Sequence, residues 1–443
     1  MKRKVNTYII FIITAFFIGS LFPFAYSGVD SGLDQLKIMV DIMAKIEDSY
    51  VDETQPKELI TNALYGMVNN LDEFSEFINV QNTKRIKEET RGEFGGIGLR
   101  LLGKEGELHI VTPMPKTPAY QAGVEPGDEI IQINDKLVKD IPSQEAIDMM
   151  RGPIGEKVTI IVKRKDAKGK DITKKFTLKK TKIIPQVVYP KMLENKIGYI
   201  YIEDFSGHTV ADVKDALSDF KKQGMESLIL DLRFNPGGTL DSAIDLAKLF
   251  IGDNKMIVYT KGRKEKFFKE YKSNKEAPYY DLPIILLVNE GSASGSEIVA
   301  GALQDHARAL LIGARTFGKG SVQQVSTLED GSALKLTVAK YYTPLGRMIH
   351  RDFKKKGPNT TGGILPDIEV KMDLAAAKSA ILQRSTVIYS PSKKTAEIKG
   401  APLKDEQLDR AVELLKARKV LGALNIKEIS AAEKANKQEV KEA

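Results

Sequence analysis

From Leu33 to Tyr50 the apolar residues Leu36, Met39, Val40, Met43 and Ile46 recur at the three-and-four spacing of one helix face. Pro56 to Leu71 repeats the pattern, so a pair of amphipathic helices is predicted, with a stripe that faces a core or another subunit. From about Gly92 to Lys182 the texture changes. Short β-branched runs (GIGLRLL, LHIVTPM, DEIIQIND, KVTIIVKR, KFTLKK) are separated by Gly and Pro, and one helix is expected over Ser143 to Met150. This predicts a small, mostly β domain. From Ile197 strands and helices alternate: IGYIYIEDF, a helix from Val210 to Gln223, SLILDLR, a helix from Leu240 to Phe250, PIILLVN, a helix from Ser294 to Ala307, then ALLIGA. That rhythm predicts an α/β core with at least partly parallel strands. After Asp367 the pattern turns helical again, and the closing AAEKANKQEVKEA is polar enough for a frayed tail.

The first 27 residues stand apart. Lys2-Arg3-Lys4 precedes the apolar YIIFIITAFFIGSLFPFA and the small residues Ala25 and Ser27, the layout of a signal peptide or a membrane anchor. Either predicts export, to the periplasm or the extracytoplasmic face of a bacterial inner membrane, with membrane contact only through this segment. At 443 residues the chain exceeds one hydrophobic core. The expected division is 1–27 signal or anchor, 28–88 helical region, 89–182 β domain, 183–376 α/β core, and 377–443 helical region and tail.

Composition narrows the chemistry. No cysteine occurs, which excludes disulfides, thiolate metal sites and a cysteine nucleophile. The net charge of +8 owes much to Lys163–Lys182, read as a hairpin with a solvated face, and no nucleic-acid partner is predicted. No metal or other cofactor site is read.

The stretch VNEGSASGSEIVAGALQD holds three serines between a buried-strand pattern and a helix. Ser294-Gly295-Ser296-Glu297 is a capping box, and a cap alone would explain it. Yet Ser294 falls where a strand's carboxyl end meets a helix N-terminus, a common place for sites in α/β sheets. RTFGKGSVQQV then brings Lys319 between glycines, and on an extended segment Lys319, Ser321 and Gln323 point to one side. None of His109, His208, His306 and His350 has a patterned carboxylate beside it, whereas a desolvated lysine can serve as the base for a serine. In LILDLRFNPGGTLDSAIDLA a strand enters a tight Gly237-Gly238 turn, where bare N–H groups could receive an oxyanion.

With DLRFNPGG, GSASGSEIVAGALQD, GARTFGKGSVQ, YYTPLGRMI and GGILPDIEV in this order, the chain resembles the carboxyl-terminal processing peptidases, or tail-specific proteases, from about Leu33 to Asp367. The resemblance implies an α/β protease core of crotonase and Clp-protease-like sheet and helices, with an inserted mostly-β PDZ domain and flanking helical segments. It makes Ser294 the nucleophile, Lys319 the general base and Gln323 the residue that holds the lysine amine through its side-chain carbonyl. The oxyanion donors become the N–H of Gly295 and that of Gly237 or Gly238. Gly295 stands where alanine is more usual, and Glu73 replaces the usual proline of NNLDEFSEF.

GEFGGIGLRL is similar to the carboxylate-binding loop of a PDZ domain, with Gly96, Ile97, Gly98 and Leu99 in the glycine–apolar motif. A phosphate loop is the weaker reading, because no helix or phosphate-binding lysine follows in register. Arg151 matches a conspicuous PDZ arginine of the family, and the resemblance implies a role in coupling peptide capture to the active site, with a surface turn residue as the alternative. The expected partners are protein or peptide substrates with free, apolar C-termini, an activating adaptor, and a second copy through the terminal helices. An inactive exported PDZ scaffold and a crotonase-like acyl transferase are the competing functions.

Overall fold

The computed structural model describes residues 30–104, 106–166, 168–352, 361–385, 388–390, 393–396 and 403–421. The signal or anchor read at the N-terminus lies outside them. Among the described residues no helix is long and apolar enough to cross a membrane.

Residues 30–77 form one unit and the remainder a second. The first carries helices α1 (Asp30–Ser49) and α2 (Pro56–Asn69). Their spacing was read correctly, but the stripe of α1 is not a core. Leu36 and Val40 are 58% and 62% exposed, so the core alternative for this face does not hold.

The second unit opens with α3 (Val80–Arg91) and continues into a β module. Strand β1 (Phe94–Gly96) pairs with β7 (Thr181–Ile183) at its base. Between them β2 (Leu99–Lys104), β3 (Glu107–Pro113), β4 (Glu129–Ile133), β5 (Lys157–Lys165) and β6 (Asp171–Lys179) form a sheet in that order, with helices α4 (Pro118–Gln121) and α5 (Ser143–Met150). Alternation decides the faces. Val158, Ile160 and Val162 of β5 are buried while their neighbours are not, as period two requires. The basic β5–β6 hairpin leaves Lys163, Lys174 and Lys175 exposed.

The α/β core follows. Strands β8 (Val188–Leu193), β9 (Ile197–Ile202), β10 (Ser227–Asp231), β13 (Ile284–Val288), β14 (Ala309–Gly313) and β17 (Ile368–Glu369) make a six-stranded sheet in this order, parallel except for β8. β9, β10 and β13 are buried at every position, the near-continuous apolar runs of a sheet covered on both faces. Helices α6 (Thr209–Lys222), α7 (Leu240–Ala247) and α8 (Gly295–Asp305) pack on one side. On the other, α9 (Leu374–Ser385) and helix 406–421 cover Ile229, Ile285 and Leu287. α7 ends three residues before the predicted Phe250, because Lys248 to Ile251 close in a tighter turn. A second sheet is antiparallel: β11 (Met256–Gly262) lies between β12 (Lys269–Lys272) and β16 (Ala333–Tyr342), and β15 (Ser321–Thr327) pairs with β16.

Candidate active site

The carboxyl ends of β10 and β13 deliver two turns to one place. Ser294, just before α8, has φ +52° and ψ −111°. A residue with a side chain holds such a conformation, at about 1–3 kcal/mol, only where its surroundings impose it. They do so here through the flanking serines. Ser292 Oγ donates to the Leu232 carbonyl at 2.7 Å and accepts the Asn289 N–H at 2.9 Å. Ser296 Oγ donates to the Asn235 carbonyl at 3.0 Å, and the Ala293 N–H reaches the same oxygen at 3.0 Å. Ser292 and Ser296 are fully buried, whereas Ser294 between them is half-buried. Two of the three serines tie the turn down and the third is presented.

Glu297 does more than cap the helix. One oxygen, Oε2, accepts the Ser294 N–H at 2.9 Å and the Lys319 N–H at 2.7 Å. The other, Oε1, accepts the Gly318 N–H at 2.7 Å and Thr316 Oγ1 at 2.6 Å. Burial pushes this carboxyl up to about 7, although all four donors favour its ionised form. The capping-box pattern in the sequence pointed to the first contact only. The other three come from a loop some twenty residues downstream, and only the fold brings that loop within reach.

Lys319 precedes β15 and is half-buried. Desolvation, with a smaller contribution from the nearby Lys335 ammonium, holds its pKa below the ordinary lysine value, and Glu297 opposes the shift. The shared carboxylate oxygen joins the backbones of Ser294 and Lys319. Gln323 donates through Nε2 to Thr337 Oγ1 at 2.8 Å, while its Oε1 is buried and accepts no hydrogen bond. The structure therefore does not close this amide on the lysine. Ser321 Oγ, two residues earlier on the same face of β15, is likewise buried without a partner.

The glycine turn lies against the serine. A methyl built on Gly237 would stand 2.7 Å from Ser294 Cβ and 2.8 Å from the Gly295 nitrogen, and one on Gly238 would strike the Phe205 carbonyl at 2.0 Å. Both glycines have positive φ, at +104° and +138°, so no other residue fits here. The Gly237 N–H already donates to Asn235 Oδ1 at 2.8 Å. That of Gly238 meets no acceptor among the described residues, and that of Gly295, first in α8, has no acceptor within its helix. Of the histidines, His350 runs by its backbone against Gly320, next to Lys319, where a methyl would meet its nitrogen at 2.1 Å. His208 does gain a carboxylate, Glu93 at 3.6 Å, which the sequence did not suggest, but at the start of α6 and not beside Ser294.

In the β module, Ile97, Gly98, Leu99, Ile147, Met150 and Arg151 line a groove of about 210 Å³ between β2 and α5. β2 is the edge strand of its sheet. Gly98 has φ +80° and a methyl there would overlap Thr117 at 2.3 Å, so only glycine admits this turn. Gly96 bridges to Arg151, whose guanidinium lies 4.3 Å over the Phe94 ring. Arg100 of β2 reaches across to the core, donating to Glu203 Oε2 at 2.9 Å. Among the described residues no group of three His, Asp or Glu side chains is placed to hold a metal.

The profile of Peptidase family S41 matches residues 196–370, and that of the PDZ domain residues 109–164. The chain is 37% identical to a carboxy-terminal-processing protease of Bartonella bacilliformis over 84% of each chain. It is 36% identical to carboxy-terminal processing protease CtpA of Bacillus subtilis, over 79% of this chain and 76% of that one. A solved structure titled photosystem II D1 C-terminal processing protease is 26% identical over 75% of this chain and 92% of its own, with a TM-score of 0.43. The α/β core with its inserted PDZ domain thus belongs to a serine-type peptidase, and the chain is a member of peptidase family S41, among the carboxy-terminal processing proteases.

Proposed function

We propose that the chain is an exported endopeptidase that captures the free C-terminus of a substrate in its PDZ groove and cleaves the polypeptide through Ser294 and Lys319. The observation that carries this reading is the single Glu297 oxygen that accepts both the Ser294 and the Lys319 N–H groups. It registers nucleophile and base against each other before substrate arrives. Neutral Lys319 takes the proton from Ser294 as Oγ attacks the scissile carbonyl carbon. The oxyanion is received by the Gly295 and Gly238 N–H groups; Gly237, with its own N–H engaged by Asn235, serves through its missing side chain. The lysine ammonium gives its proton to the leaving amine, and the resulting ester is hydrolysed by a water that Lys319 deprotonates in turn. The unpartnered Gln323 carbonyl is the acceptor for that ammonium when the site closes on substrate.

The expected substrates are unstructured proteins or peptides with an apolar last residue, laid along β2 with the carboxylate at Gly96–Leu99 and Arg151 at the rim. The division at 89–182 and 183–376 assigns capture and chemistry to separate bodies. The exposed stripe of α1 is offered to a second copy or an adaptor. Residues 1–27 supply export and any membrane contact. An inactive scaffold is not favoured in a family of peptidases. Incubation with an unfolded protein tests the reading. Fragments must appear with the wild-type protein and not with Ser294→Ala, and cleavage by the variant would overturn it.

A further inference from the structure

Arg233 is the largest fully buried side chain among the described residues. It stands two positions after β10 ends and two before Asn235. Nε and Nη2 donate to Asp231 Oδ1 and Oδ2 at 2.9 and 2.6 Å. Nη1 and Nη2 donate to the two oxygens of Asp405 at 2.9 Å each, and Nη1 also meets Gln407 Oε1 at 2.9 Å. Both edges of the guanidinium fork are therefore filled by carboxylates. The cluster is closed around them: Tyr199 OH donates to Asp231 at 2.8 Å, the Leu408 N–H to Asp405 at 3.1 Å, and Gln407 Nε2 to the Val370 carbonyl at 2.8 Å.

Asp231 and Arg233 leave the same strand and could shift together. Asp405 fixes them to something else. It lies 172 positions away, beyond residue 370 where the family match ends, and its helix 406–421 is packed through Leu408, Ala411 and Leu415 on the far face of the sheet. Downstream of Arg233 the chain is strained. Phe234 has φ +59°, its N–H is held by Asn289 Oδ1 at 2.9 Å, and a methyl on Gly291 would come within 2.7 Å of its Cα. Asn235 follows, receiving Ala293 and Ser296 from the nucleophile's turn, and then the two glycines. A backbone in this conformation persists only when held on both sides. Asn289 and the serine turn hold one side, and Arg233 is the anchor on the other.

We propose that Asp405, with Gln407 beside it, is a positioning residue for the oxyanion turn, so that the C-terminal segment completes the catalytic site from behind. The inference rests on the reading of Gly238 and Gly295 as oxyanion donors. Removing one such donor outright costs about 10²–10³ in kcat; a displaced turn retains part of that contribution.

The test uses the full chain and a peptide substrate. In Asp405→Asn an amide N–H₂ replaces the carboxylate oxygen that faces Nη2. A fall in kcat of about 10- to 100-fold is expected, with KM within about twofold. Affinity for a peptide aldehyde, which forms a tetrahedral adduct, should fall in parallel. Gln407→Leu is the milder variant, expected to lose about 3- to 10-fold in kcat, and it carries the test if Asp405→Asn does not fold. Leu415→Ala loosens the same helix without touching the cluster. It should lower the thermal midpoint while kcat, measured well below that midpoint, stays at the wild-type value. Wild-type kcat in Gln407→Leu and in folded Asp405→Asn would overturn the proposal, as would an equal loss of kcat in Leu415→Ala. Cleavage by Ser294→Ala would instead remove the underlying reading of the site.

Discussion

The turn at Ser294 and the groove beside β2 are built on opposite rules. Around Ser294 the neighbouring polar groups are buried and engaged: Ser292, Ser296, Asn235 and Glu297 all bond inward, and the backbone is held at positive φ in Ser294 and Phe234. Around the groove the lining is apolar, Arg151 is its only charged member, and one edge of β2 is left unpaired. Chemistry at a carbonyl needs donors aimed before the charge develops, since reorganising them during reaction forfeits their effect. Capture of a chain end needs the reverse, an open ladder whose partner is the ligand. The Arg100–Glu203 bond spans the two, one residue along β2 from Leu99 and two residues before Phe205, which packs on Gly238.

The comparison breaks first at the rigid end. Ser294→Ala, Lys319→Ala and Lys319→Arg should each lose on the order of 10⁴-fold or more in kcat, because nucleophile and base act as a unit and arginine keeps its proton. Gly237→Ala belongs with them, its methyl driven into Ser294. Circular dichroism alongside the activity assay separates lost chemistry from lost fold. Glu297→Gln keeps the shape but turns a donor N–H₂ towards donors; a drop of about 10²–10³ in kcat with modest change in KM is expected. Wild-type turnover in this variant would show that the shared carboxylate is only a helix cap.

At the open end the effects are smaller and fall on selection. A substrate tail ending in a free apolar residue should be cut about 10- to 150-fold faster, in kcat/KM, than the same tail amidated, the range set by one charge-assisted hydrogen bond of about 1.5–3 kcal/mol, and faster than a tail ending in Asp, which places a second charge in the apolar groove. Competition between the three tails in one reaction reads this directly, and equal rates would leave the groove without a role in selection. The smallest effect should come from Gly295→Ala. The new methyl would meet Ala243 Cβ at 3.3 Å and Phe205 at 3.4 Å, a tight fit that leaves the N–H in place. A change in kcat of no more than about threefold is expected, and a loss as large as that of Gly237→Ala would mean that the turn tolerates no Cβ at all.

Much of this was legible in the chain. The alternation of apolar runs such as LIL and IILLV with helices announced an α/β core with at least partly parallel strands, and the serine and glycine turns fell at its strand ends. What stayed hidden depends on long-range closure. Glu297 read as a local cap because its other partners, Thr316, Gly318 and Lys319, arrive from a separate loop. Asp405 read as part of a plain helical tail, since nothing in DEQLDRAVELL names an arginine 172 positions earlier. The Gly237 N–H bond to the Asn235 side chain, on which the proposed preference for Gly238 rests, is one that periodicity cannot register. The stripe of α1 had the right spacing and the wrong surroundings, because periodicity says that a face is apolar and not what covers it.

The central claim is that Ser294 is a nucleophile activated by Lys319 in its neutral form. Labelling by a fluorophosphonate, followed by peptide mapping across a pH series, addresses it most directly. As pH rises, Glu297 loses its proton near 7 and Lys319 loses its own below the ordinary lysine value. Ionised Glu297 accepts the Ser294 and Lys319 N–H groups more strongly but its charge favours the lysine ammonium, so the rate should climb with pH as the lysine becomes neutral and then level off. The account predicts label on Ser294 alone, with this ascending profile in the wild type and no label in Lys319→Arg. Label on another residue, or a Ser294 rate that ignores both pH and the loss of Lys319, would contradict it.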